Sequence, residues 1–206
     1  MISANEIGYE CEIQENTSVE ELRKNYNNCI LIWINGSGAS PNGNPGKYRC
    51  VLDFNGHVRY LEKQFPGATA NEAMINGAID ATKCINKSMR LYIISSTALG
   101  FTTGFKGKGP NGALIQKLYE IIKEKKCELT EVQFINSGDA IKKFVLSCNP
   151  DKTEAGLYNS QQERKKEYKD KYIEMIYKEC LLKVERVLIK NNVDFKILNE
   201  VKKIKP

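Results

Sequence analysis

The apolar residues between positions 29 and 148 fall into short continuous runs and amphipathic stretches. The strongest run covers residues 30–34 (ILIWI) and ends at the polar segment 35–38 (NGSG). Continuous β-branched and aromatic residues bounded by glycine predict a central strand buried on both faces. A turn-rich loop follows and closes at residues 43–46 (GNPG), where glycine permits positive φ and Pro45 fixes φ.

Two more strands are predicted at residues 48–54 and 57–65. Between them stands Asn55-Gly56, a dipeptide typical of a two-residue hairpin turn, so these strands should pair antiparallel beside the first. A helix then opens at Thr69 or Asn71 and ends near residue 86. Its apolar positions recur with the helical period and form one face: Ala73, Ile75, Ala78, Ile79, Thr82 and Ile85.

The rest of this region alternates strand and helix. The pattern predicts a buried strand at 91–94, a short helix at 98–105, a helix at 113–126, a strand at 129–135 and a last helix capped by Asp139. The helix at 113–126 should turn four residues inward: Leu114, Leu118, Ile121 and Ile122. Three antiparallel strands followed by strand–helix crossovers predict one α/β domain at residues 29–149.

Two extensions flank this predicted domain. Residues 1–28 are polar, with one short helix expected at 18–25, where Ser18 would cap and Glu21 stands three residues later. After Asn149-Pro150 the composition shifts, and residues 151–206 hold fourteen Lys/Arg and ten Asp/Glu. Within the predicted helical extension 150–206, apolar residues every four positions indicate one long helix at 160–189. That helix must bury its stripe against its own domain, a second subunit or a partner.

Composition narrows the class of protein. A hydrophobic content of 41% and a charged content of 27% are those of a globular protein. No apolar run reaches the roughly 18–20 residues that a membrane span needs, and residues 1–15 lack a secretory signal pattern. We therefore expect an intracellular protein, cytoplasmic or nuclear, with no membrane association.

The candidate chemistry is sparse. Seven cysteines are scattered without a CxxC pair, and His57 is the only histidine, which argues against a zinc site and against disulfides. The chain has neither a GxxxxGK[ST] phosphate loop nor a GxSxG elbow. The formal net charge of +6 permits binding to nucleic acid or another polyanion.

The strand and loop at residues 34–46 resemble the first strand and loop of the ribonuclease H family, whose pattern is Thr-Asp-Gly-Ser, a short spacer and Gly-Asn-Pro-Gly. Here residues 34–37 (INGS) and 43–46 (GNPG) stand in those places. The segment 69–73 (TANEA) and the predicted element order extend the resemblance over residues 29–148. It implies an α/β fold with a ribonuclease H-like mixed five-stranded sheet flanked by helices, here followed by a long C-terminal helix.

The resemblance also implies which residues would carry catalysis. Ribonuclease H enzymes cut the RNA strand of a hybrid with two Mg²⁺ ions held by four carboxylates. The matching positions here are Asn35, Met74, Ser96 and Asp139. A neutral amide, a soft thioether and a hydroxyl replace three of the four acids. Only Asp139 keeps a carboxylate, which helix capping explains equally well. We therefore expect no catalytic residue, no metal and no cofactor.

The residues that the family uses to contact the minor groove of a hybrid are better retained. Asn44 and Asn71 match such positions, and Lys47, Lys106 and Lys108 could contact phosphates. Each also has a simpler interpretation: Asn44 as a turn residue, Asn71 as a helix cap, and the lysines as solvated loop residues.

Three functions follow in order of preference. The first is a catalytically inactive ribonuclease H-like protein that binds RNA or an RNA-containing duplex. The second is a protein-interaction scaffold, such as an inhibitor, adaptor or assembly factor, that uses the helix at 160–190 or the former active-site face. The third is a divergent metal-dependent nuclease with ligands rearranged around Asp139.

Overall fold

Six strands form one mixed sheet in the computed structural model, which describes residues 1–135, 138–151, 180–184, 186, 187, 190 and 191. Their spatial order is β1-β6-β5-β2-β3-β4. β2, β3 and β4 pair antiparallel, whereas β5 pairs in parallel with β2 and β6, and β1 pairs in parallel with β6. In chain order the strands are β1 (Glu10–Gln14), β2 (Ile30–Ser37), β3 (Gly46–Phe54), β4 (His57–Phe65), β5 (Arg90–Ser95) and β6 (Glu128–Phe134).

The predicted order of elements is confirmed, but the sheet has one strand more than the five predicted. The extra strand, β1, lies within residues 1–28 and runs along the edge of β6, with Glu10 opposite Thr130. Its sequence, ECEIQ, contains one large apolar residue, Ile13, which is exposed. Backbone pairing with β6, and not burial of its side chains, makes this segment a strand.

β2 is buried on both faces, as predicted. Ile30, Ile32 and Ile34 belong to one core cluster, whereas Leu31 and Trp33 belong to the other. The first cluster lies under the helices α2 (Ala70–Lys83) and α4 (Gly112–Glu124), and the second under α1 (Val19–Asn25) and α5 (Gly138–Ser147). The short α3 (Phe101–Gly104) packs against α4.

Helix capping follows the sequence closely. Ser18 caps α1 in a capping box with Glu21, as predicted, and Leu22 of this helix is fully buried. Thr69 is the residue that caps α2, because its side chain accepts from the backbone N–H of Glu72 and Glu72 bonds back. The interpretation of Asn71 as the cap is therefore wrong, and Asn71 is the second residue of α2.

Two local expectations about α3 and α4 differ from the structure. The helix predicted at 98–105 shrinks to the four residues of α3. In α4, Ile115 and Tyr119 are buried with Leu118 and Ile122, whereas Leu114 and Ile121 are only half-buried. α3 covers this side of α4, where the Tyr119 hydroxyl donates to the Phe101 carbonyl over 2.8 Å.

Asp139 does not cap α5. The helix begins at Gly138, so Asp139 lies within the first turn and is exposed. Its negative charge there complements the positive end of the helix dipole.

The chain divides into two compact units, Met1–Ala155 and Gly156–Pro206. Of the long helix predicted at 160–189, residues 180–184, 186 and 187 are helical, and the rest lies outside the described residues. No helix within the described part of the chain is long and apolar enough to span a membrane.

Gly77→Ala should destabilise the protein although alanine favours helices. A methyl group at Gly77 would lie 2.8 Å from Cγ of the Tyr48 ring, closer than real contacts allow. Relieving that clash should cost about 1–3 kcal/mol, more than the roughly 1 kcal/mol gained in helix propensity. Urea unfolding followed by Trp33 fluorescence measures the change, with the exposed Lys83→Ala as control. Unchanged or increased stability of Gly77→Ala would contradict this packing.

Candidate nucleic-acid interface

The carboxyl ends of β2 and β5 bring Asn35 and Ser96 to the same end of the sheet. In this parallel pair Trp33 lies opposite Ile94. β5 ends at Ser95, so Asn35 on β2 and Ser96 directly after β5 both lie beyond this last pair, toward the carboxyl ends of the two strands. Two of the four positions that the resemblance singled out therefore lie at the same end of the sheet.

Met74 of α2 packs against Gly36, the residue that follows Asn35 on β2. A methyl group at Gly36 would lie 2.6 Å from Cγ of Met74, so only glycine lets α2 approach β2 this closely. Met74 is 5% exposed and belongs to the core cluster under α2. The second position of the set therefore lies against the residue that follows Asn35, as a packed thioether.

Asp139 is linked to the same end of the sheet because its neighbour Gly138 lies against Ser96. A methyl group at Gly138 would lie 3.3 Å from Oγ of Ser96. Ser96 therefore contacts the start of α5, while the Asp139 carboxylate is exposed. Contacts and register link the segments of all four positions at one end of the sheet.

The residues at this end do not fit a pair of divalent cations. Three of the four are neutral, and Met74 is a soft donor that is packed in the core. The cross-strand neighbour of Asn35 is Arg49, a cation. Side chains directly opposite each other in a sheet are about 4.5–5.5 Å apart, so Arg49 would repel a metal at Asn35. Within the described residues no three His, Cys, Asp or Glu side chains are grouped so that they could hold a metal.

Arg49 belongs to a charged network on the same face. Its Nε atom donates to Glu62 over 3.2 Å, Lys47 Nζ lies 3.7 Å from the same carboxylate, and the Tyr60 hydroxyl donates to it over 2.6 Å. Burial opposes ionisation of Glu62, but the Tyr60 hydroxyl, Arg49 and Lys47 together hold its pKa below the usual value. Glu62 therefore holds Arg49 opposite Asn35 and also pairs with Lys47, which lies opposite Ser37.

Sequence reasoning missed Arg49 and Glu62, although the hairpin contains the signal. A two-residue turn at Asn55-Gly56 pairs Phe54 with His57, and the same count pairs Arg49 with Glu62. The positions of the two strands and the length of the turn are together enough to define this register.

The loop of residues 38–46, here called the groove loop, is held directly against the start of α2. The Ala39 N–H donates to the Ala68 carbonyl over 2.8 Å. Methyl groups at Gly46 and Gly38 would lie 2.5 Å from Ala68 O and 3.2 Å from the Ala70 N atom, so glycine is required for this approach. The groove loop and the first turn of α2 therefore form one continuous surface.

Two of the predicted binding residues lie on that surface. Asn44 is exposed, and its backbone carbonyl accepts from the Ser40 N–H over 3.0 Å. Asn71 is partly exposed, and no residue that the structure describes hydrogen-bonds its side chain. The hydroxyl of Ser40 is buried without a hydrogen-bond partner among the described residues. Because buried polar groups are normally paired, this loop has unused bonding capacity.

The three predicted lysines have different settings. Lys47 begins β3 directly after the groove loop and is paired with Glu62. Lys106 and Lys108 are exposed on a separate loop whose Gly107 and Gly109 have positive φ. The structure therefore brings Asn44, Asn71 and Lys47 together but not Lys106 and Lys108.

Comparisons with known proteins match solved structures but no family model and no curated protein. Among solved structures, ribonuclease H1 from the archaeon Halobacterium salinarum is 13% identical, with 54% of this chain and 88% of that chain covered and a TM-score of 0.40. The N-terminal ribonuclease H domain of a Mycobacterium tuberculosis protein is 16% identical, with 54% and 89% covered and a TM-score of 0.43.

A third structure, LC11 ribonuclease H1 in complex with an RNA/DNA hybrid, is 21% identical, with 55% of this chain and 89% of that chain covered and a TM-score of 0.42. At these identities and TM-scores the likeness concerns the fold alone. Strand order, strand polarity and element order are those of a ribonuclease H-like fold. The fold predicted from the sequence is therefore confirmed.

The contact between Gly36 and Met74 predicts that substitutions at the two residues change the free energy of unfolding in a non-additive way. Gly36→Ala alone should destabilise by about 1–3 kcal/mol, and Met74→Ala alone by about 2–5 kcal/mol. The double variant should cost less than the sum by at least about 0.5 kcal/mol, because removing the Met74 side chain makes room for the new methyl group. Chemical unfolding monitored at Trp33 measures this cycle. Strictly additive costs would mean that the two residues do not touch.

Proposed function

We propose that this chain is a ribonuclease H-like protein that binds RNA or an RNA-containing duplex without cleaving it. The observation that carries the proposal is the packing of Met74 against Gly36, next to Asn35. A buried thioether occupies the position where the resemblance to ribonuclease H places a catalytic glutamate.

The case for lost catalysis is electrostatic. Two Mg²⁺ ions need several anionic oxygens, since each ion must exchange hydration for ligands of comparable strength. Asn35 and Ser96 supply no charge, and Arg49 stands beside Asn35 with a positive one. The exposed Asp139 is one carboxylate, which is too little charge for two cations.

The case for binding comes from the surface formed by the groove loop and the first turn of α2. Asn44 and Asn71 present hydrogen-bonding groups there, as a partner with 2′-hydroxyls and phosphates requires. Lys47 and Arg49 place positive charge at the neighbouring end of the sheet. The net charge of +6 favours association with a polyanion.

A protein-interaction scaffold is the second candidate. In the described part of the C-terminal helix, Leu182, Val184 and Val187 are large apolar residues that are exposed. Such residues on one helix favour a protein partner that would cover them. Failure to bind any nucleic acid, together with loss of self-association or partner binding in Leu182→Ser/Val187→Ser, would favour this candidate.

The double variant Asn44→Ala/Asn71→Ala should bind an RNA/DNA hybrid about 10–30-fold more weakly, because two hydrogen bonds of about 1 kcal/mol each are lost. Binding by the parent chain should also weaken steeply with salt, as expected for phosphate contacts. Fluorescence anisotropy with labelled hybrid, double-stranded RNA and double-stranded DNA measures both effects. The control is Asn5→Ala/Asn86→Ala, two exposed asparagines elsewhere.

Equal affinity of the parent chain for all three duplexes would show that 2′-hydroxyls are not recognised. Equal affinity of the double variant and its control would remove the groove loop from the interface.

Restoring the acids should restore metal binding. The triple variant Asn35→Asp/Met74→Glu/Ser96→Asp should be stabilised by Mg²⁺ or Mn²⁺, because the ions neutralise three converging carboxylates. The parent chain should show no such stabilisation. The uncharged control is Met74→Gln/Ser96→Asn. Thermal unfolding with increasing metal and calorimetry are the measurements.

No metal binding by a folded triple variant would mean that the three positions do not converge. Cleavage of a hybrid by the parent chain, abolished by Asp139→Asn, would instead establish a divergent nuclease.

A further inference from the structure

A pocket lies where β2 begins and the β3–β4 hairpin turns, at the end of the sheet opposite Asn35. Its volume is about 510 Å³, within the range of about 300–1,000 Å³ typical of small-molecule sites. Leu31, at its wall, and Asn35 are four residues apart on β2, which is about 13 Å. The pocket is lined by Arg23, Lys24, Tyr26, Asn27, Asn28, Leu31, Asp53, Asn55 and Gly56.

The guanidinium of Arg23 is held in place at this pocket. Its Nε atom donates to Asp53 over 2.7 Å, and the second carboxylate oxygen of Asp53 accepts from the Gly56 N–H over 3.1 Å. Asp53 is 1% exposed, so both of its oxygens are engaged in a buried setting. Arg23 also lies over the ring of Phe144, 5.3 Å from its centre. The two Nη atoms donate to no residue that the structure describes, which leaves four N–H donors on a fixed group.

A pair of asparagines adds further donors. The Asn28 N–H donates to Asn55 Oδ1 over 3.0 Å, and Asn55 Nδ2 donates to Asn28 Oδ1 over 3.1 Å. This exchange uses both side-chain oxygens. It leaves both N–H groups of Asn28 Nδ2 and one of Asn55 Nδ2 without a partner among the described residues.

The unused polar groups are therefore mainly donors, and Lys24 adds a second positive charge on an exposed side chain. Arg23 and Asp53 neutralise each other, so Lys24 gives this donor-rich pocket a net positive charge, which favours a ligand rich in anionic acceptors. A phosphate group offers three or more such oxygens in a compact tetrahedron. Tyr26, which is partly exposed, supplies apolar surface for an attached organic group.

We propose that this pocket binds the phosphate group of a small phosphate ester. The site is separate from the groove loop and does not depend on binding of a nucleic acid duplex. The volume of the pocket limits the size of the ester. A nucleoside monophosphate is within this limit, whereas a polymer is not.

The test is an NMR titration of the full chain at low ionic strength with inorganic phosphate and with uridine 5′-monophosphate. Both should shift the amide signals of residues 23–28 and 53–56 and the side-chain NH₂ signals of Asn28 and Asn55. The nucleotide should bind more tightly than inorganic phosphate, because its ring can contact Tyr26.

Asn28→Asp is the decisive variant. It keeps the oxygen that accepts from Asn55, and aspartate tolerates the positive φ of 58° at this position. It replaces two donors by a negative charge, so the affinity for both probes should fall at least about tenfold. Lys24→Gln should weaken binding by about threefold, and Lys117→Gln, an exposed lysine on α4, is the control.

Unchanged affinity of a folded Asn28→Asp variant would overturn the proposal, as would shifts scattered over the surface without saturation. An oligonucleotide without terminal phosphates distinguishes the source of the phosphate. If it shifts these signals while uridine 5′-monophosphate does not, the small-ester assignment is wrong. Loss of duplex binding in the groove-loop variants has no bearing on this result, so the two proposals fail independently.

Discussion

The close approach of α2 to the sheet is the contact on which the rest of this structure depends. It is made through glycines: Gly36 of β2 lies under Met74, and Gly77 of α2 lies over Tyr48 of β3. A side chain at either position would push helix and sheet apart. Because α2 packs this closely on the sheet, the groove loop contacts Ala68 and Ala70 at the start of α2. The groove loop and the first turn of α2 therefore form one surface.

The same approach determines what fills the end of the sheet near Asn35. Converging carboxylates repel one another when no cation lies between them. Here an apolar side chain fills the space beside Gly36, and Arg49 is neutralised by Glu62 and not by a catalytic acid. This end of the sheet is therefore held by core packing and by one charged network.

Sequence reasoning reached most of the fold because its strongest signals were local. The continuous run of β2, the Asn55-Gly56 turn and the apolar face of α2 each predict an element without knowledge of its neighbours. β1 was missed because ECEIQ has no apolar face, and its strand exists only through pairing with β6. The buried face of α4 was misjudged because α3 decides it, through the Tyr119–Phe101 hydrogen bond.

The candidate site was reachable from sequence only in part. Positions 35, 74 and 96 follow from a motif, but the contact of Met74 with Gly36 is a distance between two elements. The phosphate pocket could not be inferred, since it joins the end of α1, the turn before β2 and the tip of a hairpin. The residues of this pocket are far apart in the sequence, so their spacing gives no sign that the fold brings them together.

The position of β1 has a consequence for the way the chain is made. Glu10 pairs with Thr130, a separation of 120 residues, so β1 has no strand to pair with until β6 has been synthesised. At typical rates of synthesis that interval is on the order of ten seconds. During it β1 is unpaired, and a strand with Ile13 as its one large apolar residue has little tendency to aggregate with other nascent chains. β1 can therefore pair with the edge of β6 only after β6 has been made, and its mainly polar composition keeps it soluble until then.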